Sequence, residues 1–159
     1  MPLTDSPAKP HDHSLCIDDA LGQARLICEQ RNVRLTAIRE QVLGLIWQSH
    51  KPIGAYDLLE QLAKTHHAAK PPTIYRALEF LQDNGLIHKI ESQNAFLGCA
   101  HVGGHHHGQF LICTACGTAQ EIDEKVVSSA LENASQAQGF KIQSFVIEIK
   151  GLCAACQDL

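Results

Sequence analysis

Four cysteines constrain this chain more than any other feature. Cys113 and Cys116 form one CxxC pair and Cys153 and Cys156 a second. A two-residue gap lets both thiolates of such a knuckle meet one tetrahedral zinc at about 2.3 Å. The pairs stand 36 residues apart, further than in a simple zinc ribbon. The intervening segment reads as a helix, "DEKVVSSALENASQA", then a strand, "FKIQSFVIEIK", on which Phe140, Ile142, Ile147 and Ile149 alternate. Such a strand can carry the last pair back beside the first. Four thiolates leave no open coordination position, so an ion held there is structural. The other readings are two unrelated surface pairs, or a redox dithiol, which usually stands alone at a helix start. The chain has seven cysteines, an odd number, and no charged-then-apolar leader at its start. Metal binding is therefore expected before cross-linking, in a cytoplasmic protein. No apolar run reaches about 18 residues, so no membrane partner is expected.

A second set of ligands precedes and surrounds the first knuckle. "LIHKIES" and "AFLGCA" read as a hairpin with His88 and Cys99 at opposite ends, where paired strands can bring them together. Gly103 and Gly104 allow a sharp turn, after which His105, His106 and His107 face back towards the hairpin. Glu121 lies on the strand after the knuckle. One Cys, two His and one Glu suit a tetrahedral zinc, and the thiolate favours zinc over iron or manganese. Because these residues come from both halves of the chain, a bound metal would select one relative orientation of the halves, as a metal-operated switch requires. The competing reading is a solvated His-rich linker with His88 as a surface residue.

At 159 residues the chain makes one domain, or two small ones that lean on each other or on a second copy. Residues 1–17 are Pro-, His- and Asp-rich and are expected to be a flexible tail. An amphipathic helix follows over Asp18–Arg31, with Leu21, Ala24, Ile27 and Cys28 on its apolar stripe. Thr36 caps a second helix that ends near Ser49, and "AYDLLEQLAKTH" is a third. Lys70-Pro71-Pro72 is expected to be extended, with Thr73 capping a fourth helix that stops at Gly85. On that helix Ile74, Ala77, Leu78 and Leu81 share one face and Arg76 points the other way, close to the N-terminus. Helices followed by a hairpin describe a winged helix-turn-helix. Arg76 could grip a guanine edge in the major groove, with Thr73 and Tyr75 near phosphates. Tyr56 opens the third helix and could reach backbone or base. Arg31, Arg34 and Lys89 flank this surface. The net charge of -4 is uneven: residues 31–90 carry eight Lys or Arg against five acids, whereas residues 91–159 carry three against seven. Local charge decides phosphate contact, so the middle of the chain is the part suited to it. A merely solvated helix face is the alternative.

Together "RNVRLTAIREQVL", "AYDLLEQL", "PPTIYRALEFL", "GLIHKIES", "CTACG" and "GLCAAC" resemble the Fur family of metal-dependent repressors, from about Ala20 to Cys156. "PPTIYRAL" and the "HKIES…C" hairpin look most like its zinc-sensing branch. The resemblance implies an α+β chain: an N-terminal winged helix (18–95), a hinge loop (96–108) and a small C-terminal α/β dimerisation domain (109–159) carrying structural zinc on Cys113, Cys116, Cys153 and Cys156. It also implies a regulatory zinc at the hinge, making two zinc ions per chain. Its ligands match His88, Cys99, one His of the run and Glu121. The loop is a residue shorter than the form it aligns to. Counting back from Cys113 selects His106, with His101, His105 and His107 still open. Many relatives carry a third site, whose positions here correspond to His107, Gln109, Ser128 and Phe145. Three of those four cannot ligate, so no third site of that kind is expected. Tyr56 and Arg76 are implied to contact operator bases.

The expected function is a zinc-responsive transcriptional repressor that binds palindromic operator DNA as a zinc-loaded homodimer and represses zinc-uptake genes. The alternative is a relative sensing iron, manganese or nickel. A zinc hydrolase would need an open coordination position and a general base, but the second set supplies four ligands and no HExxH occurs. No small-molecule substrate and no enzymatic activity are expected. A zinc-storing module that never meets DNA is the remaining rival.

Overall fold

The structure, a computed structural model, describes residues 12–104 and 106–157. The N-terminal part is helical. Helix α1 runs His13–Gln30, α2 Ala37–Ile46, α3 Ala55–Ala63 and α4 Pro71–Asp83. Their apolar stripes meet in one core, where Ala24, Ile27, Cys28, Val42, Ile46, Leu58, Leu62, Ile74, Ala77, Leu78 and Leu81 are all buried. The helical spacing of these residues is what lets four short amphipathic helices share a core.

Two helix starts differ from expectation. Asp12 caps α1, its carboxylate accepting the Ser14 N–H at 2.9 Å. The helix therefore begins five residues before Asp18, and the expected tail does not include His13–Ile17. Residues 1–11, with His11, lie outside the described residues. Lys70-Pro71-Pro72 is not extended: Lys70 is the extended cap residue, and both prolines lie inside the first turn of α4. Proline suits that turn, because the N–H it lacks would have no helical partner there. Thr73 is thus one turn in, its hydroxyl accepting the Lys70 N–H at 3.5 Å. Thr36 does cap α2.

A wing follows α4. Strand β1 (Ile53–Gly54), too short to announce itself in the sequence, joins β2 (Ile87–Ile90) and β3 (Ala95–Gly98) in the order β1-β3-β2, all antiparallel. The C-terminal part holds β4 (Gly108–Cys113), β5 (Ala119–Ile122), α5 (Lys125–Ala137), β6 (Val146–Gly151) and the short α6 (Ala154–Gln157). Its sheet is mixed: β4 pairs antiparallel with β5 and parallel with β6. Phe140 and Ile142 are not in β6. The parallel ladder spans only Gly108↔Val146 to Cys113↔Gly151, so the strand is no longer than its partner. The architecture is a winged-helix region plus a small α/β unit. No described helix is long and apolar enough to cross a membrane.

The two parts are packed together. Ile90 and Leu97 of the wing form a buried cluster with Phe110, Ile112 and Ala119 of the mixed sheet. The Ala119 N–H donates to the His50 carbonyl at 2.9 Å, and the Ser92 N–H donates to Glu148 Oε1 at 3.2 Å.

Candidate metal centres and nucleic-acid face

The parallel register Cys113↔Gly151 delivers the end of β6 to the end of β4. Cys113, Cys116, Cys153 and Cys156 consequently place all four sulfurs within 4.8 Å of one another. Cys116 Sγ and Cys153 Sγ are 3.8 Å apart, which is the edge of a tetrahedron with about 2.3 Å zinc–sulfur bonds. The knuckle is held by Gly117, whose N–H returns to the Cys113 carbonyl at 3.0 Å from a left-handed φ of 76°. Backbone N–H groups of Cys116 and Cys153 pull the Cys113 thiol down to about 6. The hydrogen bond with Cys153, then burial, pushes Cys156 up to about 12. Four soft donors with this spacing fit zinc.

The second cluster sits where the wing meets the mixed sheet. Strand β2 presents His88, and Cys99 follows β3 with its N–H on the Leu86 carbonyl at 3.0 Å. Gly98 allows this because the Trp47 ring lies against it: a Cβ there would clash with the indole. Gly103, at φ 96°, turns the loop and brings His106 back. His106 Nδ1 donates to the Gly104 carbonyl at 3.1 Å, which leaves Nε2 as the lone-pair nitrogen facing the cluster. Glu121 lies on β5 opposite Phe110, nearly fully buried. Its Oε1 is 2.7 Å from His88 Nε2 and 2.8 Å from His106 Nε2. The two Nε2 atoms are 3.2 Å apart, and Cys99 Sγ is 3.4 Å from His106 Nε2. All four ligand atoms fall within 4.8 Å of one another, as four ligands of one tetrahedral ion must.

The electrostatics of this cluster are lopsided. Burial opposes ionisation of Glu121, but the hydrogen bond and charge of His88 and the Ala100 N–H outweigh it, holding the carboxyl at about 2. Burial and the Glu121 charge together push Cys99 up to about 12. Of the other histidines, His101 lies at the rim, its Nδ1 3.7 Å from Glu121 Oε2. His107 turns away and stacks on Phe145 at 3.8 Å, and His105 lies outside the described residues. Gln109 is buried and donates to Ser128 Oγ at 2.9 Å. His107 and Phe145 thus make a ring stack, and Gln109 and Ser128 an amide–hydroxyl bond.

On the helical part, Tyr56 is 80% exposed, Tyr75 61% exposed, and Arg76 and Arg34 are exposed. Among the described residues Arg76 makes no hydrogen bond or ion pair, so its guanidinium is available to a ligand. Thr73 is half-buried. Two flanking cations are already engaged: Arg31 donates to the Asn84 carbonyl at 2.8 Å, and Lys89 pairs with Glu91 at 3.0 Å. The contacts of His50 and Ser92 across the seam escaped the sequence reading, because they are made by main-chain groups that any residue carries.

Residues 30–150 match the model of the Ferric uptake regulator family. The chain is 42% identical over 143 residues to the zinc uptake regulation protein of Escherichia coli (strain K12), spanning 89% of this chain and 83% of that one. A zinc uptake regulator complexed with zinc and DNA superposes with a TM-score of 0.85 at 41% identity, covering 89% and 95% of the two chains. XcZur matches at 42% identity in both its states. Its holo form gives a TM-score of 0.82, with 89% and 99% coverage, and its apo form 0.52, with 89% and 97%.

Proposed function

The chain belongs to the ferric uptake regulator family, as a DNA-binding regulator and not an enzyme, and from that premise we propose that it is a zinc-responsive repressor of zinc-uptake genes. It binds a palindromic operator as a homodimer with two zinc ions per chain. The observation that carries this reading is the convergence of His88, Cys99, His106 and Glu121 across the seam between the winged helix and the C-terminal unit. A thiolate in the set favours zinc over iron or manganese. The closer superposition on holo XcZur than on its apo form, at equal identity, supports it too.

Cys113, Cys116, Cys153 and Cys156 hold the structural zinc and tie the chain's end to β4. His88 and Cys99 come from the wing side, His106 from the hinge and Glu121 from the sheet, so together they hold the wing against β4 and β5. A zinc bound there supplies positive charge that offsets the buried Glu121 and Cys99 anions, and directed bonds that oppose separation of the two parts. The packing of Ile90 and Leu97 on Phe110 and Ile112 sets the orientation that those bonds retain. Arg76 and Tyr56 then read base edges, with Tyr75, Thr73 and Arg34 on phosphates. Positioning two heads at half-site spacing costs conformational entropy, and the hinge ligands remove that cost before DNA is met. By reciprocity, operator DNA tightens zinc at the hinge.

The test is a zinc titration of the purified dimer with operator DNA, counting bound zinc throughout. One tight zinc per chain with DNA binding only on filling of a second is the expected result. DNA binding indifferent to the second zinc would refute the hinge assignment.

A further inference from the structure

Glu148 of β6 lies in the same row of the mixed sheet as the hinge ligand Glu121. Phe110 pairs with Glu121 of β5 and with Glu148 of β6, and residues paired across strands project to one face of a sheet. The other face belongs to α5, where Gln109, beside Phe110 on β4, donates to Ser128 Oγ. The Glu121–Phe110–Glu148 row therefore faces the wing, and β2 lies across it. At one edge His88 Nε2 is 2.7 Å from Glu121 Oε1. In the middle Ile90 shares the buried cluster of Phe110. At the other edge the single helical turn of the wing, Glu91–Gln93, places the Ser92 N–H 3.2 Å from Glu148 Oε1. Burial opposes ionisation of Glu148, but hydrogen bonds from Ser92 and from the Glu91 N–H outweigh it and hold the carboxyl below the usual range. Glu148 and Ser92 belong to neither metal-ligand cluster.

We propose that Glu148 is a positioning residue that clamps the turn of the wing and so sets the angle at which α4 meets operator DNA. This role rests on the DNA-binding reading of α4 and not on the identity of the hinge metal. The hinge ligands grip β2 at His88 alone. From there to Ser92 the chain runs four residues, about 13 Å if extended. A grip at one end fixes a point and leaves rotation about it, opposed only by apolar packing, which has no direction. A hydrogen bond to a charged carboxylate is directional and stronger than a neutral one, and at the far end of β2 it removes that rotation. The rotation matters at the reading helix. Ile87 and Phe96 of the wing are buried in one core with Ile74, Ala77 and Leu78 of α4. Wing and α4 turn as one body, and a tilt at Ser92 is carried to Arg76 in the first half of α4. Glu148 thus acts on DNA reading through the wing.

The experiment compares wild type, Glu148→Ala and Glu148→Gln in operator affinity at saturating zinc, in zinc affinity without DNA, and in amide hydrogen exchange of the wing turn. Glu148→Ala should weaken operator binding about fivefold, with zinc affinity within about twofold of wild type and an unchanged melting temperature. Glu148→Gln keeps an oxygen for the Ser92 N–H and should recover most of the loss. Both variants remove a negative charge, which by itself strengthens contact with phosphates, so weakening in Glu148→Ala reports geometry. The Ser92 amide should exchange faster in Glu148→Ala, and equally so when the hinge is emptied by Cys99→Ser. That readout is independent of zinc sensing, so failure of the hinge reading is not confused with failure of the clamp. Unchanged operator affinity in Glu148→Ala would overturn the proposal. So would equal losses of zinc and operator affinity with a lowered melting temperature, the mark of a general loss of stability. A Glu148→Gln variant as weak as Glu148→Ala would overturn it too.

Discussion

Cys99 and Glu121 share one cluster in opposite protonation states. Burial drives Cys99 up to about 12 and His88 draws Glu121 down to about 2, so at neutral pH the thiol keeps its proton while the carboxylate is already charged. Zinc needs the thiolate, so binding must expel the Cys99 proton, whereas Glu121 releases none. The sign follows: hinge affinity rises with pH, by about one log unit per pH unit for that proton between roughly pH 6.5 and 8.5. A chromophoric competitor measured across that range checks it, and Cys99→Ser should flatten the slope by the same amount while weakening binding at every pH. The ligand types were legible from spacing. The choice of His106 from a run of similar residues came from aligning to the family. Only the fold supplies its geometric basis, in the Gly103 turn and the bond from His106 Nδ1 to the Gly104 carbonyl.

At the scale of elements, α5 is an amphipathic helix with no buried residue. Val126 is 74% exposed, Val127 and Leu131 are also exposed, and Ile149 and Leu152 of the C-terminal segment are open as well. Apolar surface gathered on one helix and one strand, in a unit this small, calls for a partner. A second copy of the chain fits the homodimer proposed above. Replacing Leu131 with Glu would bury a charge in that interface. Sedimentation at micromolar concentration should then show monomer, and operator affinity should fall at least tenfold, about 1.4 kcal/mol, with zinc binding to the four-cysteine site retained. The helix itself was plain from its periodicity. β1 was not, because two residues carry no period, and the start of α4 was misplaced because Pro-Pro reads as extended unless a helix begins at it.

At the scale of the whole molecule, the proposed structural and hinge metal centres should fail differently. The four cysteines link the β4 knuckle to the chain's last turn, so Cys153→Ser removes folding free energy on the order of 10 kcal/mol. It should leave the C-terminal unit unfolded or aggregated in thermal melts. Cys99→Ser should leave the melting temperature of the zinc-free protein within a few degrees, about 1 kcal/mol or less, and abolish the zinc dependence of operator binding. Finding the reverse pattern would exchange the structural and regulatory roles.

The sequence by itself determined the four-cysteine cluster, the amphipathic helices, the wing and the pool of hinge ligands, because fixed spacing and hydrophobic period are local properties of the chain. Tertiary structure decided how the pool is used. The parallel pairing of β6 with β4 brings two knuckles 36 residues apart onto one point. The packing of Ile90 and Leu97 on Phe110 and Ile112 sets Glu121 against His88. Convergence of distant segments depends on strand register and on the burial of apolar surface across the seam, and neither is written at any single position of the chain.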